Sequence, residues 1–346
     1  MMVASHSKVA VIGAGSWGTT VASLTSRNVP TVLWARSDEL VAEMAATRVN
    51  RRYLPDFGLP RRLTVTSSLH DAVAGADVLV MAVPSHGFRD VLQQAAGSVA
   101  PDIPVVSLSK GVEQGTLKRM TEVVAELLPD HPAGVLTGPN LAQEVMAGRP
   151  AASVVAMTNE TVAVDLQPVF SRPSFRVYTN PDVVGCELAG ALKNVIALAA
   201  GVCDGMGLGD NAKAAVMTRG LAELTRLGVA LGGQPLTFSG LAGMGDLVAT
   251  CMSRQSRNRH VGEELGRGRH IDDILTEMKM VAEGVKTSRV VVELASRVHL
   301  ELPIAEQVAS VINGEKTAAD IIPALMLRHA GAELAGIAFS QPATGR

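Results

Sequence analysis

Cysteine is scarce in this chain of 346 residues, with Cys186, Cys203 and Cys251 as the whole complement. None lies in a C-x-x-C pair or beside a histidine at metal spacing, so neither a zinc centre nor a disulfide framework is supported and buried, reduced thiols are expected. A charge excess is also missing. Thirty-one basic against 33 acidic side chains leave a net charge of -2, which offers no global field for nucleic acid or an anionic membrane. Any anion must therefore be held by a local cluster. The most apolar segment, Leu188 to Val202, is shorter than the ~20 residues of a membrane span and contains Lys193 and Asn194, so no span is expected. The first residues carry no secretory pattern, because Lys8 runs straight into a strand and a glycine loop, and the cytoplasm is the expected compartment. There is no internal repeat and no low-complexity segment.

What is present is a chain with 47 % hydrophobic and 18 % charged residues, an ordinary globular balance long enough for two domains. From residue 8 to about 180, short β-branched runs alternate with helical patterns. The runs are Val9 to Ile12, Thr31 to Trp34, Val78 to Val83, Val105 to Leu108, Val135-Leu136, Ser153 to Val155 and Phe175 to Thr179. Continuous apolar strands separated by helices predict an α/β, doubly wound, mainly parallel Rossmann-type sheet covered on both faces. Beyond Pro181 the spacing turns helical, through Val183 to Val202, Ala212 to Leu231 and Glu283 to Val298. The expected organisation is a dinucleotide-binding domain over residues 1–184 and an all-helical substrate domain over 185–340. A frayed tail over 341–346 is expected from its small and polar residues.

The first strand ends in Gly13-Ala14-Gly15-Ser16-Trp17-Gly18 and leads into a helix, the G-x-G-x-x-G arrangement in its required context. Gly13 makes the tight turn, Gly15 lets the backbone approach a pyrophosphate, Gly18 lets helix pack on strand, and the helix N-terminus donates to the anion. An NAD-selective site places an acidic residue at the end of its second strand. Here that place reads Trp34-Ala35-Arg36. A guanidinium matches a 2′-phosphate, so Arg36 favours NADP(H) and NAD(H) stays open; a solvated arginine at a strand end is the plainer alternative.

Leu188 to Leu198 is apolar on every helical face except at Lys193 and Asn194. Such a helix must be buried. A lysine there loses solvation, which favours its neutral form and suits acid–base work unless nearby anions push the other way. Farther on, Gly243-Met244-Gly245-Asp246 reads as a turn feeding a helix, with Asp246 either capping that helix or serving the site. Ser256, Arg257 and Asn258 supply consecutive hydroxyl, guanidinium and amide donors suited to phosphate oxygens, against the simpler reading of a solvated basic helix start.

These residues resemble the soluble NAD(P)-dependent glycerol-3-phosphate dehydrogenase family of bacteria. The agreement runs from Gly13 to about Ala318 through motifs in order: the glycine loop, Val83-Pro84-Ser85-His86, Ser109-Lys110-Gly111, Gly138-Pro139 and Leu192-Lys193-Asn194-Val195. It continues through Asp246-Leu247 with Thr250-Cys251, Ser256-Arg257-Asn258, and Val281-Ala282-Glu283-Gly284. The resemblance implies that Ser16, Trp17, Arg36, Lys110, Ala142, Arg257, Val281 and Glu283 line the cofactor, with Lys193 as general acid or base. It implies further that Lys110, Gly138, Lys193, Asp246, Ser256, Arg257 and Asn258 surround a triose phosphate, with Asn194 and Thr250 nearby. One departure stands at Gly138-Pro139-Asn140-Leu141-Ala142, where the family usually has Ser or Thr followed by Phe; Asn140 can still donate and accept there.

The activity so implied is reversible hydride transfer between NAD(P)H and dihydroxyacetone phosphate, giving sn-glycerol 3-phosphate for glycerophospholipid synthesis. The resemblance also implies a homodimer, and it implies neither a metal nor a nucleic-acid partner. A dehydrogenase for a branched hydroxy acid or an acyl thioester would give no reason for the Ser-Arg-Asn trio. A non-catalytic nucleotide sensor would give none for a buried lysine.

Overall fold

A computed structural model describes residues 8–278 and 282–327. The chain forms two compact units that part between Glu187 and Leu188. The expected tail at 341–346 lies outside the described residues.

The first unit is built on ten strands: β1 (Val9–Ile12), β2 (Thr31–Trp34), β3 (Val49–Asn50), β4 (Leu54–Gly58), β5 (Leu63–Thr66), β6 (Val78–Met81), β7 (Val105–Ser107), β8 (Ala133–Thr137), β9 (Ala151–Met157) and β10 (Phe175–Asn180). Its helices are α1 (Ser16–Thr25), α2 (Asp38–Thr47), α3 (Leu69–Val73), α4 (Ser85–Ala96), α5 (Met120–Leu127), α6 (Ala142–Met146) and α7 (Glu160–Phe170). Eight strands form one sheet in the order β10-β9-β8-β7-β6-β1-β2-β5, and β3 pairs with β4 in a separate antiparallel hairpin. Every pairing in the large sheet is parallel except β8 with β9. The doubly wound, mainly parallel expectation is thus borne out.

Alternation along the strands explains why both faces need helices. Val9, Val11, Val78 and Val80 point into one buried cluster, and Ala10, Ile12, Leu79 and Met81 point into another. Strands buried on both sides read as unbroken apolar runs, which is what β1 and β6 are. From β1 the chain crosses to β2 and β5 on one side and later to β6, β7 and β8 on the other. The reversal at β1 creates a crevice outside the carboxyl end of that strand, the usual place for a dinucleotide in such sheets.

Among the described residues the second unit contains only helices. The helix α8 (Val183–Gly205) passes through the unit boundary and is followed by α9 (Gly209–Ala230) and α10 (Pro235–Ser239). A π-helical turn over Leu241–Gly245 leads to α11 (Asp246–Met252), then α12 (Arg257–Gly266), α13 (Ile271–Glu277), α14 (Glu283–Arg297), α15 (Pro303–Ile312) and α16 (Ala318–Met326).

One expectation needs correction. The apolar helix is not too short to cross a bilayer: α8 has 23 residues, because helical spacing extends from Val183 through to Gly205. By length and composition it alone among the described residues could span a membrane. Its apolar window is 94 % buried within the protein, which is where an all-round apolar helix belongs in a folded core.

Candidate functional site

The glycine loop of the first unit is shaped by close approach. Gly13 has φ 119°, and a Cβ there would stand 2.6 Å from the Ala82 carbonyl oxygen. A Cβ on Gly18 would collide with the carbonyl oxygen of Gly13. Around Gly15, by contrast, a Cβ would meet nothing within 4 Å, so packing inside the chain gives no reason for a glycine there. Gly15 is the N-cap of α1, no side chain caps that helix, and its first turn holds no acidic residue. The orphan N–H groups and the positive end of α1 are therefore left for an anion. This geometry fits a dinucleotide pyrophosphate.

Around the loop, Ser16 Oγ donates to the Tyr53 carbonyl (3.4 Å), and the Trp17 ring lies 6.2 Å from that of Phe175. Asn50, which the sequence did not single out, is fully buried on β3. Its Nδ2 donates to the Ala14 carbonyl (2.9 Å) and to Thr19 Oγ1 (2.8 Å). It braces the loop from behind. Arg36 is exposed just beyond β2, next to Ser37, whose side chain caps α2.

Three further sequence candidates gather at the ends of β7 and β8. Lys110 Nζ donates to the Gly138 carbonyl (3.2 Å), and Ser109 Oγ donates to the Val83 carbonyl (2.5 Å). Asn140 Nδ2 donates to Ser153 Oγ (3.1 Å), which in turn donates to the Thr137 carbonyl (2.8 Å). The amide at the family's Ser or Thr position is thus tied to β9. Its Oδ1 is buried without a partner. Ala142 opens α6. The stretch after Lys110 is pinned by Glu113, which accepts from Arg89 Nε (2.7 Å) and Nη2 (2.9 Å). This paired guanidinium holds the Glu113 carboxyl below its ordinary range.

In the second unit Lys193 is buried on α8 at 4 % exposure. Its Nζ donates to Asp246 Oδ1 and to Thr250 Oγ1, two residues one turn apart on α11. Thr250 Oγ1 also donates to the Asp246 carbonyl (2.6 Å), which commits the hydroxyl proton and leaves the oxygen to accept from the ammonium. The anion whose presence the sequence left open is Asp246, itself 2 % exposed.

The capping reading of Asp246 does not hold. Gly245 is the N-cap of α11, no side chain caps it, and the Asp246 carboxylate is turned to Lys193 instead. Nor is the preceding segment a simple turn. Gly245 N donates to the Gly240 carbonyl (3.0 Å), a five-residue step, and Gly243 lies too close to the Phe238 backbone for any side chain. Such π-helical turns are frequent at functional sites. Cys251, on the same helix, has its thiol pushed up to about 12 by burial, and all three cysteines are free and buried.

Ser256 is the N-cap of α12 and accepts from Arg259 N (3.2 Å). That bond satisfies the third residue of the helix, while the N–H groups of Arg257 and Asn258 have no intrahelical partner by helix geometry. With the exposed Arg257 guanidinium beside them, they form a place suited to phosphate oxygens. The Asn258 amide is also tied within the second unit, with one of its two N–H donors committed. Its Nδ2 donates to Asn194 Oδ1 (2.9 Å), and its Oδ1 accepts from Gly284 N (2.9 Å). Glu283 opens α14, and Val281 lies outside the described residues.

A dinucleotide-type loop in one unit and a buried, carboxylate-paired lysine in the other are matched by two family models. Residues 8–163 match the NAD-dependent glycerol-3-phosphate dehydrogenase N-terminus, and residues 182–323 match its C-terminus. The chain belongs to this family. A glycerol-3-phosphate dehydrogenase [NAD(P)+] of Sphingopyxis alaskensis is 57 % identical over 94 % of this chain and 98 % of its own length. Another, of Geobacter sulfurreducens, is 51 % identical over 94 % of this chain and 98 % of its own. Among solved structures, glycerol-3-phosphate dehydrogenase from Coxiella burnetii superposes with TM-score 0.90 at 36 % identity, covering 94 % of this chain and all of that one. The Saccharomyces cerevisiae enzyme gives TM-score 0.82 at 28 % identity, over 92 % and 99 %.

Proposed function

We propose that this chain is an oxidoreductase that reversibly reduces dihydroxyacetone phosphate to sn-glycerol 3-phosphate with NAD(P)H. The observation that carries the reading is the buried Lys193, held by Asp246 and Thr250, in a chain whose two halves both match one dehydrogenase family.

When bound, the nicotinamide would supply the hydride that adds to C2 of the ketone. At the carbonyl oxygen Lys193 Nζ gives the proton, so that the growing alkoxide becomes the C2 hydroxyl of the product and one solvent proton restores the ammonium. A positioned acid of this kind contributes ~10²–10⁴-fold. Asp246 and Thr250 fix the ammonium's direction, and Lys110 serves as a second cation for the same oxyanion. Arg257 and the first-turn N–H groups of α12 hold the phosphate, which does no chemistry but orients the carbonyl. Gly138, Asn140, Asn194 and Ser256 complete the substrate's surroundings.

The cofactor would lie on Gly13, Gly15, Ser16, Trp17 and Gly18 at the start of α1, with Lys110, Ala142, Arg257, Val281 and Glu283 as further lining. Arg36 would hold a 2′-phosphate, which makes NADP(H) the preferred form and NAD(H) the weaker one. On the same reading the chain works in the cytoplasm as a homodimer and its product enters glycerophospholipid synthesis; sedimentation equilibrium tests the dimer.

The experiment for the activity follows loss of NADPH and NADH absorbance with dihydroxyacetone phosphate, dihydroxyacetone and a set of 2-keto acids. Turnover confined to the phosphate ester is expected. Preference for a keto acid would overturn the reading.

A further inference from the structure

The segment that follows α2 is fastened to the glycine loop at two points, and one of them is an amide. Asn50, on β3 and fully buried, donates from Nδ2 to the Ala14 carbonyl (2.9 Å) and to Thr19 Oγ1 (2.8 Å). The Thr19 hydroxyl in turn gives its proton to the same carbonyl (3.2 Å). The direction of the amide is fixed by chemistry. A carbonyl can only accept, so the end of Asn50 that faces it must be nitrogen, and both of its N–H groups are then used. Its Oδ1 meets no donor among the described residues. An idle buried acceptor costs stability, so the side chain is explained by what it donates and not by its fit alone. At the second point, Ser16 Oγ donates to the Tyr53 carbonyl (3.4 Å), and Tyr53 N closes the turn on the Asn50 carbonyl (3.2 Å).

The effect on the loop follows from the peptide unit. The Ala14 carbonyl and the Gly15 N–H belong to one planar trans unit and point in opposite directions. Tying the carbonyl back to Asn50 and Thr19 therefore turns the Gly15 N–H away from them. Gly15 is also where such a unit is easiest to reverse. Its φ is -67°, and a half-turn of the peptide plane would carry it to the positive side, which glycine alone adopts at little cost. The residue that lets a pyrophosphate come close thus leaves the loop without a backbone preference of its own, and two side-chain bonds supply it.

We infer that Asn50 is a positioning residue for the cofactor, which never touches it and acts by holding the Ala14–Gly15 peptide with the Gly15 N–H presented to the pyrophosphate. On the dinucleotide reading of the loop, on which this rests, the pyrophosphate is common to both cofactors. Asn50 therefore governs affinity for NADPH and NADH alike, whereas Arg36 sets the choice between them.

Calorimetric titration of NADPH, NADH and ADP-ribose into the native chain and into Asn50→Ala tests this, at a temperature where thermal unfolding shows both to be folded. In Asn50→Ala the Ala14 carbonyl keeps its bond from Thr19 and the idle oxygen is gone, so Tm should fall by no more than about 4 °C. All three ligands should nevertheless bind roughly five- to tenfold more weakly, the loss of about one hydrogen bond. ADP-ribose carries the pyrophosphate without the nicotinamide, and its loss should equal that of the dinucleotides. Undiminished affinity, or a loss that spares ADP-ribose, overturns the inference. A native chain that binds none of the three overturns the dinucleotide reading itself, and the role of Asn50 with it. If Asn50→Ala does not fold, Thr19→Val takes its place, because it removes the hydroxyl that shares the Ala14 carbonyl and accepts the second N–H of Asn50. It should weaken all three ligands by at least about twofold, and unchanged binding overturns the inference.

Discussion

Lys193 and Asp246 stand 53 residues apart in the chain and meet as a buried ion pair, with side chains 5 % and 3 % exposed. Neither charge is solvated enough to stand alone. Removing one partner of such a pair strands the other, at a cost of about 3–5 kcal/mol, whereas replacing both with apolar groups is often neutral. Lys193→Met should therefore be clearly less stable than the native chain, and Lys193→Met with Asp246→Leu should recover most of the loss. Urea unfolding of the three proteins checks this. A single variant as stable as the native chain would show that the carboxylate is not left unpaired.

Arg36 stands exposed where the second strand of a dinucleotide fold ends. Arg36→Ala should weaken NADPH binding about 10- to 100-fold, the range of a hydrogen bond to a charged group. NADH binding should barely change. Titration of both cofactors by fluorescence decides the matter, and equal losses would remove Arg36 from the 2′-phosphate.

Arg257 is the first residue of α12, where the main-chain N–H groups have no partner within the helix by geometry. Arg257→Ala should raise the KM for dihydroxyacetone phosphate strongly, and Arg257→Lys should recover only part, because an ammonium lacks the planar fork. Full recovery by lysine would argue for a simple charge effect.

Glu223 is a buried carboxyl on α9 that caps α15, accepting from Ile304 N (2.8 Å) and Ala305 N (3.2 Å). Burial pushes its pKa up to about 7, against the pull of those two bonds and of Arg226, while Glu306 adds to the rise. The folded state then holds a proton that the unfolded chain releases near its ordinary value of 4.5. Stability should consequently fall as pH rises from about 4.5 to 7 and level off above, by on the order of 3 kcal/mol in all. Glu223→Gln keeps an acceptor for α15 and should abolish that fall. Thermal unfolding at pH 5 and pH 8 measures it; the same pH dependence in both proteins would contradict the assignment.

What could be read in the sequence was what depends on residue type at fixed spacing. The Gly13 to Gly18 loop and the apolar surroundings of Lys193 are patterns of that kind, and the sheet follows from runs such as Val78 to Met81. What could not be read depends on partners far along the chain. Asp246 offered a cap at close range, and its bond to Lys193 across 53 residues won instead. Asn50 belongs to no motif that spacing reveals, yet it lies on a short strand and holds the glycine loop from behind. The π-helical turn before Asp246 looks like any glycine-rich turn until the proximity of Gly243 to Phe238 is seen. The bonds of the Asn258 amide to Asn194 Oδ1 and from Gly284 N could not be read either, because nothing local announces them.

The central claim is that Lys193 delivers the proton that accompanies hydride transfer. Its most direct test is the single-turnover rate of dihydroxyacetone phosphate reduction by Lys193→Met with Asp246→Leu, set beside Asp246→Leu alone, with NADPH binding measured on both. Both proteins should bind NADPH, since the glycine loop belongs to the first unit. The account predicts that the lysine-free protein is slower than Asp246→Leu by at least about 10²-fold. Equal rates in the two proteins would contradict it.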